Sequence, residues 1–169
     1  SRFTDQKDHL TLLMAFKKVN SVINSKLLLI GYGPNKEMII NFIKKNNLRK
    51  NIKILNFKKN PYIYLKKSDL FVLSSRFEGL PNVLLEASVL KKFVISSQCK
   101  TGPKEILDNG KGGELFKVGN YKELAKKIIF YHKNNDKLKK KIIHSYARLN
   151  RFDFKKNLKN YLNLINRIK

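Results

Sequence analysis

Two glutamates, Glu78 and Glu86, close either end of the run Glu78-Gly79-Leu80-Pro81-Asn82-Val83-Leu84-Leu85-Glu86. The apolar segment Leu70 to Leu73 feeds this run through Ser74-Ser75-Arg76-Phe77. Pro81 suits the start of a helix, where its missing N–H is no loss. A strand that turns into a helix in this way exposes the first helical N–H groups, and such a place favours anions. The backbone of Gly79, Leu80, Asn82 and Val83 is therefore expected to face a diphosphate. Glu78 in the loop and Glu86 inside the helix flank that position and can accept hydrogen bonds from hydroxyls. Each also has an ordinary explanation. Glu86 could be an early-helix acid held by the dipole, worth about 0.3–1 kcal/mol, and Glu78 a solvated loop acid.

The elements that would position these residues follow from the alternation of short apolar runs with amphipathic stretches up to about Asn120, the pattern of β-α units building a parallel sheet. An α/β fold with a Rossmann-like, doubly wound sheet of about six strands is expected, with strands near Ser1 to Phe3, Lys26 to Ile30, Ile52 to Leu55, Leu70 to Leu73, Phe93 to Ser96 and Glu114 to Phe116. A helix is expected from Lys7 to Val22. Another follows Gly31-Tyr32-Gly33 with Pro34 at its first position and runs to Asn47, and a short turn lies near Pro61 to Lys67. From 121 the chain becomes lysine-rich helix, in segments 121–134, 137–149 and 152–169. Phe154, Leu158, Tyr161, Leu162 and Ile165 line one stripe of the last segment. That stripe fits either a helix packed on its own domain or a strap crossing to another one. The whole chain, 1–169, is expected to be one domain, with an α/β core over 1–120 and helices over 121–169.

Four segments, in order, carry a resemblance to the GT-B glycosyltransferases of family four. Ser75-Arg76-Phe77-Glu78-Gly79-Leu80-Pro81, continuing to Glu86-Ala87, is similar to that family's paired-glutamate motif. Arg2-Phe3-Thr4-Asp5-Gln6-Lys7 resembles its Arg and Lys pair, Gly31-Tyr32-Gly33-Pro34 its Gly-x-Gly-Pro turn, and Thr101-Gly102-Pro103-Lys104-Glu105-Ile106-Leu107 its late Gly-Pro-x-Glu segment. Together they span Arg2 to Gly113 and are jointly far more specific than any one alone.

The resemblance implies the C-terminal, donor-binding half of a retaining, metal-independent hexosyltransferase, with an N-terminal acceptor-binding domain elsewhere in the protein. It implies that Arg2 and Lys7 bind the donor diphosphate and meet the charge on the departing phosphate, as preorganised cations must. Glu86 would hold the ribose hydroxyls and Glu78 a hydroxyl of the donor sugar. Phe57, after the strand Ile52 to Leu55, falls where the family places the nucleobase, though a core or loop phenylalanine reads equally well. Gly31, Gly33, Gly102 and Glu105 complete the candidate donor site, Glu105 having an ordinary alternative in the first turn after Pro103. The implied substrate is a nucleoside-diphosphate hexose or N-acetylhexosamine, UDP-linked by preference, and the acceptor a glycan or lipid-linked glycan of surface polysaccharide.

No aspartate is followed two residues later by another, so the Asp-x-Asp metal clamp of other glycosyltransferases is missing. No metal and no separate cofactor are expected, with Arg2, Lys7 and the helix N-terminus meeting the phosphate charge instead. Three scattered histidines and one cysteine assemble no zinc pattern, and Cys99 alone forms no internal disulfide, which suits a reduced, cytoplasmic setting. The opening Ser1-Arg2-Phe3 is expected to be the start of an excised fragment and not a signal peptide.

The net charge of +25 invites other partners. Lys, Asn and Ile are over-used in the manner of compositional bias on solvated faces. Attraction to an anionic membrane face remains a reading that basic helices allow. A nucleic-acid module built on Lys58, Lys59, Lys66 and Lys67 around Tyr62 and Tyr64 is explained more simply as a solvated face, and no nucleic acid is expected as partner. A dinucleotide-binding reading of Gly31 and Gly33 fails at Lys36, where its third glycine belongs, and at Asn51 to Ile54, where no ribose-binding acid stands. A nucleotide-sugar epimerase half of related fold is the nearest alternative, disfavoured by the Glu-Gly-x-Pro context.

Overall fold

A computed structural model of the chain describes residues 1–167. Its strands are β1 (Leu27–Ile30), β2 (Ile52–Leu55), β3 (Leu70–Leu73), β4 (Phe93–Ser97) and β5 (Glu114–Phe116). They alternate with α1 (His9–Asn20), α2 (Lys36–Lys45), α3 (Tyr62–Lys66), α4 (Asn82–Val89) and α5 (Pro103–Ile106), and α6 (Tyr121–Ala147) and α7 (Phe154–Asn166) follow. All strand pairs are parallel, as helical crossovers require.

The expected single sheet of about six strands is instead two sheets, β1-β2 and β3-β4-β5. The expected strand at Ser1 to Phe3 is reduced to one parallel bridge between Arg2 and Tyr32 and a hydrogen bond from Phe3 N to Tyr32 O at 2.7 Å. Those residues run past the end of β1, not along it.

Core packing follows the apolar periodicities. α1 buries Leu12, Leu13, Ala15, Phe16 and Val19 on one face. β4 is buried at every position, and its polar Ser97 is satisfied by donating to Ser75 O at 2.6 Å. Phe3, Phe93 and Phe116 are among the largest fully buried side chains. α6 packs on α1 and β4 through Leu124 and Ala125, and its helical geometry breaks at Asn134, where the two expected segments meet.

Three expected boundaries move for identifiable reasons. α1 starts at His9 because Asp8 takes a left-handed conformation (φ 44°) and its carboxylate caps Thr11 N at 3.2 Å. Lys7 therefore lies in a short turn, Asp5–Lys7, outside the helix. α2 starts at Lys36 behind Asn35, so Pro34 precedes the helix. Pro81 likewise sits at the cap of α4, while Pro103 occupies the first turn of α5. The last helix does not pack on its own domain: α7 buries none of its residues, and Phe154, Tyr161 and Leu162 are exposed. The end of the expected 152–169 segment lies outside the described residues.

Candidate functional site

The carboxyl ends of the strands are bound together by the segment Arg2 to Asp8. On one side Asn35 N donates to Phe3 O at 2.9 Å, and Asn35 Nδ2 donates to Asp5 Oδ1 at 2.8 Å. On the other, Arg76 N donates to Gln6 O at 2.8 Å, Gln6 Nε2 to Phe77 O at 3.1 Å, and Ser74 Oγ to Lys7 O at 2.8 Å. The segment thus ties the loop after β1 to the loop after β3.

This tie sets Lys7 against Glu78. Lys7 Nζ donates to Glu78 Oε1 at 2.6 Å, and Ser75 Oγ donates to the same oxygen at 2.6 Å. Both donors fall on Oε1, so Oε2 has no partner among the described residues. The Glu78 side chain is 9% exposed and that of Lys7 22%, so the pair is sheltered and still reachable. Lys7 keeps further N–H donors for an incoming anion. The backbone under Glu78 is pinned as well, because Thr101 Oγ1 hydrogen-bonds Glu78 O.

Gly102 explains why the next loop can come so close. It adopts φ +46°, and a Cβ there would collide with Gly79 O and the Pro81 ring. The loop containing Gly102 therefore presses on the Gly79 to Pro81 turn that precedes α4. Pro81 caps α4 with no side-chain hydrogen bond, so the N–H groups of Asn82 and Val83 have no cap acceptor. Leu80 and Asn82 are exposed at this edge.

A second cluster lies at the ends of β1 and β2. Gly33 has φ +149°, and a Cβ would meet Phe3 N at 2.7 Å, so the Gly31 to Gly33 turn is shaped by close approach of the Arg2–Phe3 backbone. Exposed Tyr32 and Phe57 meet edge to face with ring centroids 6.3 Å apart. Arg2 is exposed beside them and makes no ion pair among the described residues.

The structure therefore joins Lys7, Glu78, Gly79 and Gly102 in one junction, and Arg2, Gly31, Gly33 and Phe57 in another. Glu86, half-buried on α4, and Glu105, exposed on α5, have carboxylates that pair with nothing among the described residues. Ser75, Thr101, Gln6 and Asp8 hold the junction and were not singled out from sequence. Asp8 alone had a local signal, an Asp at an N-cap position just before the apolar-periodic helix residues. Cys99 is buried, and burial pushes its thiol pKa up, so it is a poor nucleophile. Among the described residues no group of three or more His, Cys, Asp or Glu could hold a metal ion, and no helix is long and apolar enough to cross a membrane.

Residues 1–150 match the family model described as glycosyl transferases group 1. An uncharacterized glycosyltransferase of Methanocaldococcus jannaschii is 46% identical over 107 residues, covering 63% of this chain and 26% of its own length. The poly(ribitol-phosphate) alpha-N-acetylglucosaminyltransferase of Staphylococcus aureus is 30% identical over 156 residues, covering 90% of this chain and 31% of its own. A mutant of S. aureus TarM in complex with fondaparinux, alpha-GlcNAc-glycerol and UDP superposes with a TM-score of 0.90 at 25% identity, over 98% of this chain and 34% of that one. HepE of Anabaena in complex with UDP superposes with a TM-score of 0.88 at 21% identity, over 98% of this chain and 47% of that one, a likeness of fold. The chain spans about a third or less of the curated relatives' length.

Proposed function

Because the chain belongs to the glycosyl transferases group 1, we propose that it is the donor-binding half of a retaining, metal-independent transferase. It moves a hexose or N-acetylhexosamine from a nucleoside diphosphate, UDP by preference, to a glycan or lipid-linked acceptor of surface polysaccharide. The observation that carries this reading is the Lys7–Glu78 pair held beside the N-terminus of α4.

The diphosphate sits before the N–H groups of Asn82 and Val83, with Gly79 and Leu80 lining its approach. Lys7 turns from Glu78 toward the phosphate, or shares its donors between them, and Arg2 adds a second cation. The leaving nucleoside diphosphate gains negative charge as the glycosidic bond breaks, and these fixed donors stabilise that charge without a metal. Glu78, kept oriented by Ser75 and Thr101, accepts a sugar hydroxyl through Oε2. Glu86 accepts from the ribose, and the Tyr32 and Phe57 rings offer an apolar face to the base. Gly31, Gly33 and Gly102 let the backbones approach one another, and Glu105 borders the sugar.

An N-terminal domain binds the acceptor in this reading, so the chain alone binds donor and transfers nothing. The working location is cytoplasmic, with the basic helices meeting the anionic inner face of a membrane. Support comes from relatives named for N-acetylhexosamine transfer and from the UDP complex of TarM. The test is a ligand-observed NMR panel of UDP-, GDP- and ADP-sugars, with and without magnesium, repeated on Glu86→Ala. A UDP-sugar that binds without magnesium and weakens in the variant supports the reading. Binding of none of them, or a strict need for magnesium, overturns it.

A further inference from the structure

Strand β2 is paired with β1 alone, so its other edge is free among the described residues. Leu27 N donates to Asn51 O at 2.8 Å and Gly31 N to Leu55 O at 3.0 Å. Residues alternate along a parallel ladder, so Asn51, Lys53 and Leu55 turn their main-chain groups to β1, while Ile52 and Ile54 turn theirs outward. Ile52 N is taken by Leu48 O at 2.9 Å, whereas Ile52 O and both main-chain groups of Ile54 have no partner among the described residues. Such groups offer a ladder to one more extended chain.

Beside this edge lies a groove of about 330 Å³ between β2 and α2. Ile52 and Ile54, on one face of the strand, line it together with Ile40 and Ile43 of the helix. Around these isoleucines the rim is basic. Lys36 Nζ donates to Asn56 Oδ1 at 3.1 Å just past the end of β2, and Lys44 and Arg49 stand toward its start. None of the three cations makes an ion pair among the described residues. No acid stands in the sequence between Glu37 and Asp69 that could answer them locally. A second copy of this chain, with its net charge of +25, would bring like charges to the same rim. Lys53 alternates to the opposite face of β2, so it leaves the isoleucine face clear.

We propose that the groove between α2 and the free edge of β2 is a docking site for an extended acidic segment of a partner protein. The segment adds a strand beside β2, taking the outward main-chain groups of Ile54, and sets an apolar side chain among the four isoleucines. Its acids meet Lys36 at one end of the groove and Lys44 and Arg49 at the other, which gives the site its preference for negative charge. The inference rests on the edge of β2 and not on the Lys7–Glu78 junction, so it stands or falls apart from the donor reading.

The test titrates the isotopically labelled chain with the end-capped peptide Glu-Val-Ile-Val-Glu. Two control peptides are Lys-Val-Ile-Val-Lys, of reversed charge, and Glu-Val-Pro-Val-Glu, whose proline removes a strand donor. The first peptide is expected to shift the Ile54 amide and the methyl groups of Ile40 and Ile52 together, saturating with one affinity. Reversing the rim with Lys44→Glu and Arg49→Glu should weaken that affinity by about tenfold or more while leaving the urea midpoint unchanged. Equal affinity for either control overturns the proposal, because charge or apolar character alone would then account for binding, and so does binding of none of the three. Protection of the Ile54 amide in the unliganded chain with the mass of a dimer overturns it as well, by assigning the edge to a second copy.

Discussion

The junction at the carboxyl ends of the strands and the helical region α6–α7 answer their polar groups in opposite ways. In the junction Lys7, Ser75 and Glu78 converge on one oxygen, Thr101 and Gln6 hold backbone carbonyls, and partners lie as much as 71 residues apart in sequence. In the helices, lysines such as Lys122, Lys126, Lys133, Lys137 and Lys140 are exposed, and α7 buries nothing. Among the described residues, lysines of this region find long-range partners only where α6 meets β5, Lys127 and Lys141 bonding Glu114 at 2.7 and 2.5 Å. Burial pushes the Glu114 carboxyl up, and the two lysines more than reverse it, holding it below its usual value. The contrast teaches that the surplus of exposed positive charge and the closely partnered polar groups lie in different parts of this molecule.

Changes in the junction should therefore be large and changes on the helices small. Gly102→Ala places a Cβ against Gly79 O in a backbone conformation that L residues avoid. It should cost about 3–5 kcal/mol of stability, read as a lower urea midpoint. An alanine variant with the parent midpoint would show that the loop is not pressed on the turn.

His9 offers a pH handle on the same region. It is 4% exposed with Nδ1 unpartnered, and burial, helped by the adjacent chain terminus, lowers its pKa to about 4. Between pH 6.5 and 4 the unfolded chain takes up the proton and the folded chain does not. Stability should thus fall as pH drops through that window, by up to about 3 kcal/mol in all. His9→Phe should flatten the profile there, and an unchanged slope would show that other groups set it.

Lys7→Ala removes a charge-assisted donor from the proposed phosphate position. Loss of about 1.5–3 kcal/mol corresponds to roughly 10- to 150-fold slower transfer, measured in the protein that contains both halves. Lys159→Gln, on the exposed face of α7, should leave the urea midpoint and UDP affinity unchanged within error. A large loss of UDP affinity in that variant would move specificity onto the helices and undo the contrast.

Strands β1 and β3 were legible as apolar runs of strand length, and β2, β4 and β5 as short apolar stretches that also carry Lys53, Ser96 and Ser97, and Glu114. The strand at Ser1 to Phe3 was misread because its residues run past the end of β1 and make a single bridge, from Arg2 to Tyr32. The start of α1 was misread because a left-handed Asp8 leaves no trace in apolar spacing, although its cap on Thr11 does. Glu78, Lys7 and Gly102 were named from the ordered motifs. Ser75 and Thr101 as their supports were not, because a hydrogen bond from Thr101 to Glu78 links loops after different strands. Position in sequence names the charged groups, while the groups that hold them still emerge only from packing.

The most direct measurement is a UDP titration of the isotopically labelled chain, followed residue by residue by amide shifts. The amides of Gly79, Leu80, Asn82 and Val83 should move together and saturate with one affinity, and Lys7→Ala should weaken that affinity by tenfold or more. Shifts confined to the lysine faces of α6 and α7 and abolished by moderate salt would contradict the assignment of the donor site to this junction.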